Sequence, residues 1–273
     1  MPFATANAID IYWERKGPAG AERVLFIGGT GGDLRKSPNV FDGPLARAAD
    51  VIAYDQRGLG RTSKPEGPYS MAGYADDAAA LLDAVGWDRA HVVGVSFGGM
   101  VAQHMALRHG DRIDRLVLCC TSPGGGGGSS YPLHEVAEME EAARLRFLAP
   151  ISDIRHDAAW QAANADVFEA LIRMQIDAEE PLRDEPRRRE GARLQLEARA
   201  HHDVWETIGA IPHETLICGG RYDGIAPPET QARLAGRIPH ATLRLYEGGH
   251  LFLVQDTSAW RDIIAFLTEG ARS

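Results

Sequence analysis

The chain predicts an α/β fold: a mostly parallel, doubly wound sheet with an inserted helical cap. Three observations carry this. Short apolar runs of strand length alternate with stretches of helical spacing through the first half, the pattern of a parallel sheet covered on both faces. A serine bracketed by glycines, Gly94-Val95-Ser96-Phe97-Gly98, sits where one such run gives way to a helical pattern. The alternation then stops after Pro123 and resumes only near Thr215, with helical periodicity in between.

The elements follow in order. A strand is expected at 9–13, and short apolar, buried strands at 24–27 and 51–54. Residues 72–85 have helical spacing, with Tyr74, Ala78, Leu81, Leu82 and Val85 on one stripe. A strand at 91–95 leads into the glycine-flanked serine and a helix, and another strand follows at 116–120. Five glycines, Gly124 to Gly128, come next. They read either as a loose surface loop or as a hinge for the lobe beyond. From about 133 to about 205 the helical pattern is broken by Pro150, Pro181 and Pro186. Strands resume at 215–218 and 243–246, and an amphipathic helix at 260–267 has Asp256 or Thr257 as its expected N-cap. The expected division is a core of 1–123 and 206–273 and a cap of 124–205.

The 273 residues suit one core plus a small lobe. Against 29 Lys and Arg stand 38 Asp and Glu, a net charge of −9. That balance opposes nucleic acid or an anionic membrane as partner. The basic cluster Arg187-Arg188-Arg189 lies among Asp184, Glu185 and Glu190 and reads as a solvated helix face, or as a lure for an anionic substrate. Cys119, Cys120 and Cys218 lie in apolar runs and read as buried thiols. Their spacing fits no zinc site. No run approaches the ~20 apolar residues of a membrane span, and no signal peptide is visible. The expectation is a cytoplasmic protein with a small-molecule substrate and neither metal nor cofactor.

Chemistry concentrates on a few residues. A strand, a sharp turn carrying Ser96 and a helix make a nucleophile elbow. The serine needs a base, and the base needs an acceptor that fixes its tautomer. In a doubly wound sheet these groups lie at the carboxyl ends of strands. Of ten histidines, His250 in Gly248-Gly249-His250 lies just beyond such an end. Asp223, after Gly219-Gly220-Arg221-Tyr222, occupies the neighbouring carboxyl-edge loop. The order Ser96, Asp223, His250 suits this kind of sheet. Oxyanion donors are expected at the backbone N–H of Phe97 and, in the loop Gly28-Gly29-Thr30-Gly31-Gly32, of Thr30. That loop lacks the lysine of a phosphate-binding P-loop and opens no G-x-G-x-x-G helix, so nucleotide binding is set aside.

Together these residues resemble the α/β-hydrolase superfamily over nearly the whole chain. The likeness includes Asp55-Gln56-Arg57-Gly58-Leu59-Gly60-Arg61-Thr62-Ser63, similar to the family's D-x-R-G-x-G-x-S turn. It implies Ser96 as nucleophile, Asp223 as orienting acid and His250 as base, with a cap over the pocket. One departure is Gly28-Gly29, where many members carry His-Gly; the backbone donor survives, and the anchoring of the loop is left open. Residues 81–115 resemble 3-oxoadipate enol-lactonases, and Gly249-His250-Leu251-Phe252-Leu253 resembles medium-chain polyhydroxyalkanoate depolymerases. A serine carboxylesterase or lactonase acting through an acyl-enzyme is thus expected. A cofactor-free perhydrolase, a carbon–carbon hydrolase and a non-catalytic ligand-binding module of the same fold are the alternatives. Met139, Leu145, Trp160, Phe168 and Met174 are candidate pocket residues whose core or lining role periodicity does not separate.

Overall fold

The computed structural model describes residues 2–268. Strands β1 (Phe3–Ala6) and β2 (Ile9–Lys16) form an antiparallel hairpin. Its two-residue turn is Asn7 and Ala8, with φ of 49° and 61°, the left-handed pair that matches strand twist. Strand β1 escapes sequence reading because only Ala6 of its four residues is buried, too few to show alternation. Then come β3 (Arg23–Ile27), α1 (Leu45–Ala48), β4 (Asp50–Tyr54), α2 (Met71–Ala84), β5 (Ala90–Val95), α3 (Phe97–Arg108) and β6 (Ile113–Cys119). Helix α2 starts where Ser70 Oγ accepts the Gly73 N–H at 3.0 Å.

Between β6 and β7 the chain is helical: α4 (Glu141–Ser152), α5 (Ala158–Ala163), α6 (Ala165–Glu179) and α7 (Arg188–Ala200). The sheet pattern returns with β7 (Thr215–Gly220), α8 (Pro228–Arg237), β8 (Ala241–Tyr246), α9 (Phe252–Gln255) and α10 (Ser258–Thr268). Helix α10 opens two residues ahead of expectation, with Asp256 Oδ1 accepting the Ser258 N–H at 2.9 Å.

The eight strands lie in the order β1-β2-β4-β3-β5-β6-β7-β8. The hairpin joins antiparallel, and everything from β4 to β8 runs parallel. One face is sealed by α2 and α3 through Tyr74, Leu81, Leu82, Phe97 and Met105. The other is sealed by Phe41, Leu45, Ile263 and Leu267 against Val51, Val93 and Val117. The parallel topology sets the carboxyl ends of β3, β5, β6, β7 and β8 along one edge, where loops of unlike origin meet.

The glycine run is not a loose loop. Gly125–Gly127 forms a tight turn pressed onto the segment that re-enters the sheet. A Cβ at Gly124 would stand 2.1 Å from the His202 carbonyl oxygen, and one at Gly127 2.3 Å from the Trp205 ring. At Gly124 and Gly127 no side chain fits. Met174 also departs from expectation: it is 60% exposed, on an outward face of α6 with Val167 and Leu171. Phe168 is buried and meets Trp160 edge-on.

Candidate active site

Strand β5 ends at Val95, and the chain turns through Ser96 at φ 54°, ψ −113°. A non-glycine residue held there stores about 1–3 kcal/mol of strain and persists only where its surroundings fix it. They do. The Ser96 N–H donates to the Cys119 carbonyl at 2.8 Å. A Cβ at Gly94 would fall 2.4 Å from the Gly98 carbonyl oxygen, and one at Gly98 2.0 Å from that of Ile27. The turn is so closely packed that both flanking positions must be glycine.

Three expected residues meet here. His250, in the loop after β8, has Nε2 3.0 Å from Ser96 Oγ. Its Nδ1 lies 2.9 Å from Asp223 Oδ2, in the loop after β7. Asp223 is 2% exposed, and its other oxygen accepts the N–H groups of Ile225 (2.8 Å) and Ala226 (2.9 Å). A carboxylate so placed accepts from Nδ1–H, which leaves Nε2 bare to accept the serine proton. Other histidines are engaged elsewhere: His91 with Glu22, His109 with Asp76, His213 with the Gly110 carbonyl. Cys120 sits beside the turn, but burial holds its thiol well above the usual range, so it stays protonated and unreactive.

Phe97 is the first residue of α3, and among the described residues its N–H donates to no protein group, as helix N-termini leave theirs. The loop 28–32 lies against Ser96: a Cβ at Gly29 would sit 3.6 Å from Ser96 Cβ. Among the described residues the Thr30 N–H donates to no protein group. The loop, lacking a histidine at position 28, is anchored by other means. Gln56 Nε2 donates to the Gly28 carbonyl at 2.9 Å, and Lys36 Nζ to the Gly31 carbonyl at 3.0 Å.

The turn of 55–63 has a structural explanation. Asp55 accepts the N–H groups of Leu34 (2.7 Å) and Arg61 (2.9 Å), while Arg57 pairs with buried Asp77 through two 2.6 Å bonds. The motif ties the β3 and β4 loops together.

Sequence reading missed how much of this edge is held by the helical insertion. The last carbonyls of a helix have no partner within it. Those of α4 take theirs from the two loops: Ile151 from the Gly224 N–H at 2.9 Å, Ser152 from the His250 N–H at 2.6 Å. Gln255 adds a bridge, accepting the Gly249 N–H at 2.9 Å and donating to buried Asp153 at 3.0 Å. Arg188 is a correction too. It is no solvated face but pairs with Asp33 and Glu179 at 3.1 and 2.6 Å. The available signal was a polar residue on an otherwise apolar stripe: Gln195 and Arg199 fall among the buried positions of α7 with Leu194 and Ala198.

Beneath α3, His104 Nε2 and His202 Nδ1 are 3.2 Å apart, and His202 Nε2 is 2.9 Å from the Ser122 carbonyl. The carbonyl requires Nε2–H on His202, so its Nδ1 accepts from His104. Burial pushes both rings down to about 4, and they are neutral near pH 7. Among the described residues no cluster of metal-ligating side chains forms, and no helix is long and apolar enough to cross a membrane.

Fold and site together define an α/β hydrolase. The chain belongs to that family, whose sequence model, described as alpha/beta hydrolase fold, matches residues 22–167. It is 30% identical to RutD of Caulobacter vibrioides, a proposed carbamate hydrolase, over 99% of both chains. A poly(3-hydroxyalkanoate) depolymerase of Ectopseudomonas oleovorans is 30% identical over 88% of this chain and 82% of its own. Among solved structures, the enol-lactonase of Burkholderia xenovorans LB400 superposes with a TM-score of 0.79 at 26% identity, covering 98% of this chain and 100% of that one.

Proposed function

We propose that the protein is a serine hydrolase that cleaves a small carboxylic ester or lactone through an acyl-enzyme. The observation that carries this is the unbroken chain Ser96 Oγ, His250, Asp223, with steps of 3.0 and 2.9 Å. A serine hydroxyl is a poor nucleophile near neutral pH, and an imidazole at that distance removes its proton as it attacks the carbonyl. Asp223 holds the ring with Nδ1–H inward and stabilises the imidazolium as it forms. The Phe97 and Thr30 N–H groups take the oxyanion, each worth about 3 kcal/mol in such sites. His250 then protonates the leaving alcohol and activates a water for deacylation.

The insertion is the cap over this edge, spanning residues 124–205 apart from the packed glycine turn. The similar lactonase and polyester depolymerase both act on carboxylic esters, which supports the ester reading. The likeness to RutD brings in carbamates, which present the same carbonyl with nitrogen on the leaving side. The three unpaired buried cysteines suit a reducing, cytoplasmic setting.

A fluorophosphonate probe tests the reading. The wild type labels and hydrolyses p-nitrophenyl butyrate or a small lactone, while Ser96→Ala, still folded, does neither. Equal labelling of the two proteins, or turnover that survives in Ser96→Ala, sinks it.

A further inference from the structure

We infer that Gln195, contributed by the helical insertion, is a positioning residue that sets the Thr30 N–H for the oxyanion. The inference rests on the hydrolytic reading above. Gln195 is fully buried on α7, and its Oε1 accepts the Gly31 N–H at 2.9 Å. Among the described residues its Nε2 has no partner, so the bond to Gly31 is the side chain's one attachment there.

The argument is one of peptide planes. The Gly28 carbonyl belongs to the peptide joining 28 and 29, and Gln56 holds it at 2.9 Å. The Gly31 N–H belongs to the peptide joining 30 and 31, and Gln195 holds that one. Between them lies the peptide of 29 and 30, which carries the Thr30 N–H. The carbonyl of that middle peptide, Gly29, accepts the Gly32 N–H at 3.1 Å, which closes a turn over residues 29–32. The central peptide of the turn is the one Gln195 holds, so losing that bond loosens the turn that aims the Thr30 N–H. Four of the five loop residues are glycine, and Gly31 sits at φ 68°, so the backbone has little stiffness of its own. Gln56 is a core residue; Gln195 is not. An oxyanion donor misplaced by a fraction of an ångström loses most of its effect on the transition state and little on ground-state binding.

Gln195→Met keeps length and volume and removes the acceptor. Its kcat on p-nitrophenyl butyrate should fall about 10–100-fold with KM within about twofold. Gln195→Glu, which still offers Gly31 an oxygen, should recover most of that loss. Amide exchange over residues 28–34 should quicken in Gln195→Met and not in Gln195→Glu, a readout that needs no turnover. If Gln195→Met fails to fold, Gln195→Asn, which retracts the oxygen by one methylene, must show the same loss of kcat. Wild-type kcat in Gln195→Met, a loss carried by KM alone, equal damage in Gln195→Glu, or unchanged exchange each overturns the inference. A wild type that neither labels with fluorophosphonate nor turns over overturns the hydrolytic reading first and this with it. An active, labelled wild type beside a wild-type-like Gln195→Met sinks this inference alone.

Discussion

The parallel sheet and the helical insertion are built by different means. Every residue of β4 and β7 is buried, and the helices covering them press apolar faces into two continuous cores. Helices α4 and α5 bury no residue fully, and α6 buries only Phe168 and Ile172. Among the described residues, only α7 of the insertion presses an apolar edge, Leu194 and Ala198, into the core. The rest of the insertion stays in place mainly through polar contacts: helix-end carbonyls on the two loops, Gln195 on the Gly31 N–H, and ion pairs across the seam. The sheet therefore sets where Ser96, Asp223 and His250 stand, and the insertion sets how steadily their loops are held. Apolar burial resists salt and mild acid, whereas ion pairs and neutral histidines do not.

The largest effect should come from breaking the sheet-edge chain without touching the insertion. Asp223→Asn keeps an oxygen for the Ile225 and Ala226 N–H groups but can present an amide to His250, favouring the wrong tautomer. Its kcat should drop about 10⁴-fold at an unchanged unfolding midpoint. A loss below about tenfold would mean the three-residue chain is not the working one.

Two glycines probe the two regions by the same insult. A Cβ at Gly98 meets the Ile27 carbonyl oxygen at 2.0 Å, inside the sheet edge. A Cβ at Gly191 meets that of Gly58 at 1.8 Å, where α7 docks on the core. Gly98→Ala should lower global stability by about 3 kcal/mol or more, read by urea unfolding. Gly191→Ala should leave the main transition nearly in place and speed proteolysis within residues 141–200, because the insertion can open without the sheet. If both variants lose global stability equally, the insertion is no separate unit.

The same contrast explains what could be read in advance. Apolar strand runs, the glycine-flanked serine and the carboxyl-edge rule locate the sheet and bring Ser96, Asp223 and His250 together, since each depends on local pattern plus topology. The bond from Ser152 to the His250 N–H is a backbone contact between residues 98 apart and leaves no mark on composition. The glycine run misleads because glycine signals freedom and close packing alike, and only the distant His202 carbonyl and Trp205 ring decide between them. Met174 misleads because an apolar stripe on a helix does not say whether it faces core or solvent.

The histidine pair joins the regions and should respond to acid. His104 belongs to α3, while His202 follows α7. Both rings sit near 4 in the fold and near 6.5 when unfolded. Between those values the unfolded chain binds more protons, so stability is full above about pH 6.5 and falls as pH drops toward 4. The loss should be on the order of 3 kcal/mol for the coupled pair. Urea unfolding at pH 7, 5.5 and 4.5 reads it, and His104→Gln should flatten the slope. An equal slope in that variant would assign the effect elsewhere.

The smallest effect should come from the ionic seam. Glu185 of the insertion takes Arg35 at 2.5 Å and Lys64 at 2.8 Å from the core. Glu179 takes Lys36, and Arg188 reaches Asp33 at 3.1 Å. These groups are a fifth to a third exposed on several partners, so each pair is partly screened and worth little alone. Their number, and the Lys36 bond to the Gly31 carbonyl, make the seam act on the same loop as Gln195. Glu185→Gln removes two of the four cross-seam contacts and should loosen the insertion by about 1 kcal/mol. Half-molar salt should loosen the wild type by at least as much and the variant by about half of that, because only the Lys36–Glu179 and Arg188–Asp33 pairs remain in the variant to be screened. Proteolysis rate within residues 141–200 is the readout. A salt effect undiminished in Glu185→Gln would place the electrostatic hold at contacts other than these.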